Sequence, residues 1–190
     1  MTATNPIRVV QWGLGAMGQG MAKLIAAKDG LELVGAIDVN PALDGKDVGE
    51  ILGTDPLGAT VTTHPTSILN SNNVDVVTIA TTSWVRDQIA DLRTIITAGI
   101  NVVSIAEEMS CPEAQNPDMA KELDELAKQH GVSVVVVALS SGSQEVTHIE
   151  ARRVNDLAPP MARLCYAPRE SAPPPRSSRP AWRTDPSLAT

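Results

Sequence analysis

The 190-residue sequence predicts an α/β fold: a doubly wound parallel sheet with helices on both faces, and a disordered Pro/Arg/Ser-rich C-terminal tail. Three observations carry that expectation. Apolar segments of strand length alternate with amphipathic helical segments from residue 6 to 138. A glycine-rich turn joins the first strand to the first helix. After Ala138 the alternation stops and the composition changes. Continuous apolar strands separated by helices indicate a parallel sheet buried on both faces, with right-handed crossovers.

Ile7-Arg8-Val9-Val10-Gln11-Trp12 reads as the first strand. Gly15 to Lys28 reads as a helix, with Met17, Met21, Leu24 and Ile25 on one face at helical spacing and Gly30 as its stop. Leu31 to Ile37 is the second strand. Residues 40–60 are rich in Gly, Pro and Asp, with a short helical turn over Val48–Leu52. Ala59–Thr63 reads as a short third strand and Pro65–Asn70 as a short helix. Val74 to Ala80 is a buried strand, and Trp84 to Ala98 a helix with Val85, Ile89, Leu92 and Ile96 inward. Asn101–Ala106 is the next strand. Asn116-Pro117 suits a helix start, Asn as N-cap and Pro at the first helical position. Met119, Leu123 and Leu126 line its inner face, Gly131 closes it, and Val132 to Val137 is a further buried strand. The expected strand order is 3-2-1-4-5-6.

Beyond Ala138, Leu139-Ser140-Ser141-Gly142-Ser143 is linker-like, and Glu145–Val154 alternates as one more strand would. From Leu157 to Thr190, 8 of 34 residues are Pro, too many for a packed core. Charge changes at the same place. Residues 1–138 hold 8 Lys+Arg against 17 Asp+Glu, whereas residues 139–190 hold 7 Arg, no Lys and 5 acids.

Composition narrows the function classes. Phe is absent and aromatics make up 2%, so Val, Ile, Leu, Ala and Met must fill the core. A net charge of −7 argues against nucleic acid as a partner. No run of 18 apolar residues suggests a membrane span, and the N-terminus lacks the basic and apolar regions of a signal peptide. Cys111 and Cys165 form neither a disulfide framework nor a CxxC site, so a cytoplasmic, reducing setting is expected. There is no P-loop, Ser-His-Asp set or metal-ligand spacing.

Gly13-Leu14-Gly15-Ala16-Met17-Gly18 fits G-x-G-x-x-G in its full context. It follows an apolar strand, opens a helix, and precedes a second strand ending at Asp38, 20 residues beyond Gly18. Gly13 permits the tight turn, Gly15 lets backbone approach a pyrophosphate, and Gly18 lets helix and strand pack closely. The amides of Ala16 and Met17 open the helix, where a helix N-terminus attracts phosphate. The pattern therefore predicts a Rossmann-type site for NAD or NADP. Asp38 would accept from ribose hydroxyls and repel a 2′-phosphate, which favours NAD. No Arg follows at Val39 or Asn40, and the nearest cation is Lys46. Ala80, Thr81 and Thr82 follow the fourth strand at the edge where such sheets bind ligands, and are candidates for the nicotinamide side. Thr82 or Ser83 equally suits a cap for the next helix. Residues 1–138 are thus the expected NAD(P)-binding domain, 139–158 a linker plus possible strand, and 159–190 the tail.

Ile7 to Gly18, Val34-Gly35-Ala36-Ile37-Asp38, Ile105-Ala106-Glu107-Glu108-Met109 and Ala120-Lys121-Glu122-Leu123-Asp124-Glu125-Leu126-Ala127 together resemble the 2,4-diaminopentanoate dehydrogenase family, itself similar to dihydrodipicolinate reductase. The likeness covers roughly residues 6–138, and thinly 145–158. It implies oxidative deamination: the C4 amine of a small diamino acid is oxidised by hydride transfer to nicotinamide, and the imine is hydrolysed, as in ornithine breakdown. Family members continue into an Asn-Pro-Gly-Phe-like loop and a substrate domain. Here Val137-Ala138-Leu139-Ser140-Ser141 runs into Ser143-Gln144-Glu145-Val146, and Ile149 to Pro159 resembles a piece from further along the family's chain. An internal deletion followed by a frame shift would produce that pattern, and resequencing the locus would test it.

The chemistry asks for a group that takes the amine proton. Glu107 and Glu108, just past the fifth strand, are the candidates, although either also suits a solvated loop start. His64, His130, Lys121 and Lys128 read as surface residues, Cys111 as a loop thiol, and His148 lies in the extra strand. Two alternatives stay open beside the amine dehydrogenase: a dinucleotide-binding module without turnover, and a dihydrodipicolinate reductase-like enzyme. An uncovered strand edge near 145–154 would favour self-association into a homo-oligomer.

Overall fold

The computed structural model describes residues 5–139 and 149–153. Their chain order is β1 (Ile7–Trp12), α1 (Ala16–Ala27), β2 (Leu31–Ile37), α2 (Val48–Leu52), β3 (Thr60–Thr62), α3 (Pro65–Ile68), β4 (Val76–Ile79), α4 (Val85–Thr97), β5 (Asn101–Ser104), α5 (Pro117–His130), β6 (Val134–Leu139) and β7 (Ile149–Arg153). The strands form one sheet in the order β3-β2-β1-β4-β5-β6-β7. The first six are mutually parallel, in the expected order, and β7 pairs antiparallel with β6. The extra strand expected over Glu145–Val154 is thus present as the shorter β7. The stretch expected to be disordered, 159–190, lies outside the described residues, as does His148.

Why the strands read as unbroken apolar runs is visible in the core. Val9 and Val10 are adjacent in β1, yet they join two different buried clusters, because successive side chains leave opposite faces of a sheet. One cluster gathers Val9, Leu33 and Val61 with Ala22 and Ile25 of α1 and with Val48 and Leu52 of α2. The other gathers Val10, Val77, Ile79 and Val102 with the inner faces of α4 and α5. Each face needs its own apolar residues, so no polar alternation survives. Ile79, Leu92, Ile95 and Ile96 are fully buried, and each such side chain contributes about 1.5–3 kcal/mol of transfer free energy.

The inner face expected for α1 is corrected at Met17 and Leu24, while Ile25 is buried as expected and Met21 is half-buried. Gly18, Ala22 and Ile25 are buried, whereas Met17 is 56% and Leu24 73% exposed. The small residues win because α1 lies close against the strand-to-helix turn. A Cβ on Gly18 would fall 1.8 Å from the Gly13 carbonyl oxygen. A helix held that near its neighbours has room for Gly and Ala, not for Met and Leu. α4 and α5 bury the expected Val85, Ile89, Leu92, Ile96 and Leu123. Met119 and Leu126 are partly buried against the same core. α4 also buries a polar side chain, Gln88, among them. Gly131 ends α5 with φ +66°, as a C-terminal glycine should. Boundaries of β4, β5 and β6 differ by up to two residues from the sequence reading, the usual scatter at strand ends. No helix among the described residues is long and apolar enough to cross a membrane.

Candidate functional site

Parallel strands all end at one edge of the sheet, and that edge collects the loops after β1, β2, β4 and β5. The first two build one half of a cleft. Gly13 takes φ +90°, and its N–H bonds the Ile37 carbonyl at 2.7 Å, tying the turn to the end of β2. A Cβ on Gly13 would sit 2.7 Å from the Ala80 carbonyl oxygen, so glycine is required there on two grounds. Gly15 caps α1 and has open space around it. Gly15, Ala16 and Met17 are exposed, and the first-turn amides of a helix have no intrahelical acceptor. No acidic residue stands in the first turn of α1, so its positive end is not neutralised from within.

Asp38 is half-buried at the end of β2. Its Oδ2 accepts from Leu14 N–H at 2.7 Å and its Oδ1 from Asn40 N–H at 2.9 Å. The carboxylate therefore faces the glycine turn. Each oxygen keeps a second lone pair for another donor. Val39 beside it is 89% exposed. Beneath the turn lies Gln11, fully buried. Its Nε2 donates to the Trp12 and Gly13 carbonyls at 3.2 and 3.1 Å, and its Oε1 accepts from Thr78 Oγ1 at 2.6 Å. The strand pattern treats Gln11 as one polar residue in an apolar run; its role as a floor for the turn has no sequence signal.

The loops after β4 and β5 build the other half. Ala80 N–H bonds the Trp12 carbonyl at 2.8 Å, which brings Ala80, Thr81 and Thr82 next to the glycine turn. Trp84 N–H donates to Thr82 Oγ1 at 3.3 Å. The first amide of α4, Val85 N–H, is capped from outside its own segment, by Glu108 Oε2 at 2.6 Å. Glu108 N–H in turn donates to the Ser83 carbonyl at 3.2 Å. One oxygen of Glu108 is thus committed to holding a helix end. Glu107 differs. It is exposed, and the Ser83 hydroxyl donating to its side chain holds its carboxyl below the usual carboxylate range. That keeps it an anion, able to hold an ammonium, and makes it a weaker base than an ordinary carboxylate. Behind this loop pair, Ser104 and Gln88 are fully buried and bonded to each other at 2.8 Å. Sequence patterning gave neither residue a role. His64 follows β3 at the same edge of the sheet, two residues past Thr62, whose carbonyl accepts from Asp38 N–H at 3.2 Å, whereas Lys121 and Lys128 are in ion pairs along α5. Among the described residues, no group of three or more His, Cys, Asp or Glu could hold a metal ion.

The residues fit a dinucleotide: amides for a pyrophosphate at the α1 end, a carboxylate beside them, and small hydroxyl residues across the turn. The comparisons with known proteins agree. Residues 7–104 match the family model "Dihydrodipicolinate reductase, N-terminus". The chain is 36% identical over 169 residues to 2,4-diaminopentanoate dehydrogenase of Acetoanaerobium sticklandii, covering 80% of this chain and 47% of that protein. It therefore spans about half the length of that curated relative. An amine dehydrogenase from Mycobacterium smegmatis superposes with TM-score 0.64 at 35% identity, over 67% of this chain and 38% of that one. GenD2 from gentamicin A biosynthesis, solved in complex with NAD, superposes with TM-score 0.56 at 25% identity, over 72% of this chain and 35% of that one.

Proposed function

The chain belongs to the dihydrodipicolinate reductase N-terminal family, and on that premise we propose that it binds NAD(P) and serves an amine-oxidising dehydrogenase of the 2,4-diaminopentanoate type. One observation carries the reading: the Asp38 carboxylate bonds Leu14 N–H inside the Gly13–Gly18 turn at 2.7 Å. Ribose acceptor and phosphate-facing amides so share one edge of the cleft. The similarity to 2,4-diaminopentanoate dehydrogenase and to an amine dehydrogenase supports an amine as the substrate.

When bound, the nicotinamide supplies a hydride acceptor. The residues of the chain do the rest. Gly15, Ala16, Met17 and Gly18 present backbone to the pyrophosphate, and Asp38 holds the ribose. Ala80, Thr81 and Thr82 border the nicotinamide end. Glu107 holds the substrate ammonium at the exposed edge, and one proton passes from the ammonium to water there, because only the neutral amine can lose hydride from its carbon. The carbon–hydrogen bond breaks with its electron pair leaving as hydride, a carbon–nitrogen double bond forms, and water then replaces nitrogen to give ketone and ammonia. Glu108 commits one carboxylate oxygen to Val85 N–H at the start of α4.

Fluorescence titration with NADH and NADPH, followed by an assay of 2,4-diaminopentanoate-dependent NAD+ reduction, tests this. NADH should bind saturably and more tightly than NADPH. Asp38→Ala should weaken NADH about fivefold, the worth of one hydrogen bond, and narrow the preference. Glu107→Gln should raise the KM for the amine by up to about fivefold, the worth of an exposed ion pair, while NADH still binds. Binding without reduction would leave a dinucleotide-binding module. No saturable binding would refute the reading.

A further inference from the structure

The polar groups buried behind the β4 and β5 loops have a fixed direction. Ala106 N–H donates to Ser104 Oγ at 3.1 Å. A backbone amide can only donate, so that oxygen accepts there. Ser104 is fully buried, and its one proton lies against Gln88 Oε1 at 2.8 Å. The Gln88 amide then turns its NH2 to Thr81 Oγ1 at 3.3 Å. Reversing that amide would leave the Ser104 proton buried without an acceptor, which disfavours the reversed state by about tenfold or more.

The consequence falls on Thr81. Its hydroxyl accepts from Gln88 behind it, so its single proton is free for the exposed side. Thr81 borders the glycine turn: its Cγ2 is 3.2 Å from where a Gly13 Cβ would stand. A threonine hydroxyl in water can turn either way. This one is polarised by a chain that starts on a donor with no alternative.

We propose that Gln88 is a positioning residue for the dinucleotide: the series Ala106 N–H, Ser104, Gln88 holds Thr81 as a hydrogen-bond donor toward an acceptor oxygen of the bound ligand. This rests on the dinucleotide reading above. Gln88 lies in α4, four residues beyond its N-cap Trp84, and touches no ligand itself. Its effect on binding passes wholly through the Thr81 proton. A buried amide that merely tied α4 to β5 would act on stability alone.

A double-mutant cycle on NADH affinity, read by fluorescence with the full 190-residue chain, separates the two roles. Thr81→Val should weaken NADH about fivefold, and Thr81→Ser by less than about twofold. Gln88→Glu, read at a pH where the introduced carboxyl is ionised, offers Thr81 only acceptors, draws its proton inward, and should weaken NADH by a factor close to that of Thr81→Val. Added to Thr81→Val, it should cost less than about a further twofold. Ser104→Ala, which frees the Gln88 amide to reverse, should give a smaller loss that also vanishes in Thr81→Val. It carries the cycle if circular dichroism shows Gln88→Glu unfolded. Wild-type affinity in folded Gln88→Glu and Ser104→Ala would overturn the inference while leaving the dinucleotide reading intact. So would a loss that persists undiminished beside Thr81→Val. Absence of NADH binding by the unaltered chain would overturn both.

Discussion

The two halves of the cleft face each other across a few ångströms and are made of different materials. The half after β1 and β2 is a backbone construction: glycines set the turn, and Asp38 pins it through Leu14 N–H. The half after β4 and β5 is a side-chain construction: Glu108, Ser104 and Gln88 hold the loops in place. Steric demands on backbone are absolute, since no rotamer relieves them. Side-chain bonds are individually worth about 1 kcal/mol and can be replaced one at a time. The first half should therefore fail abruptly under substitution, and the second by degrees.

Gly18→Ala is the most severe way to break that contrast. Its methyl would meet the Gly13 carbonyl at 1.8 Å, and a carbonyl in a pinned turn cannot rotate aside. Alanine's better helix propensity, about 1 kcal/mol, is outweighed by overpacking of about 1–3 kcal/mol and by the displaced turn. The expected result is a lower thermal midpoint together with more than about tenfold weaker NADH binding. If NADH affinity survives, the turn is less rigid than its contacts suggest.

Glu108→Ala probes the other half. It removes the acceptor for Val85 N–H and should cost about 1 kcal/mol, as loss of a helix cap does. That corresponds to a melting midpoint lower by about 2–4 °C. Glu108→Gln keeps an acceptor oxygen and should lose less. A midpoint unchanged in Glu108→Ala would mean that water caps α4 equally well.

The smallest effect is expected at the opposite edge of the sheet, and it serves as the control. Arg8 pairs with Asp75 at 2.8 Å, and the guanidinium lowers the Asp75 carboxyl to about 2. A carboxyl lowered in the folded state stabilises it fully above the ordinary carboxylate range, and that contribution is lost as pH falls through about 2. Both side chains are about a third exposed or more, so solvent screens the pair. Asp75→Asn should flatten the acid limb of urea stability between about pH 4 and 2 and leave NADH affinity unchanged. A change in affinity would show that the two edges are coupled.

The same contrast decides what could be read in the sequence. Glycine turns follow from backbone geometry, which is local, so Gly13, Gly15, Gly18 and the interval to Asp38 were legible. So were all six parallel strands and their order. Thr81 and Thr82 were placed at the correct edge by topology. Glu108 was legible as an edge acid but not as a cap, because its partner Val85 lies 23 residues away. Gln88 sits on an apolar helical face, where a glutamine carries no periodic signal. The face of α1 was misread because hydrophobicity ranks Met17 and Leu24 above Gly18 and Ala22. Closeness of approach, which favours the small residues, is a tertiary property.

One strand sets a distance for whatever else this chain does. β6 runs toward the cleft edge and β7 runs back, with Leu139 opposite Ile149 at the near end and Arg153 opposite Val135 at the far end. Five residues of strand cover about 16 Å. β7 therefore places Ile149 at the edge of the glycine turn and Arg153 at the opposite edge. Cross-linking reach from Asp38, measured to Ile149 and to Arg153, would read that length as a ruler.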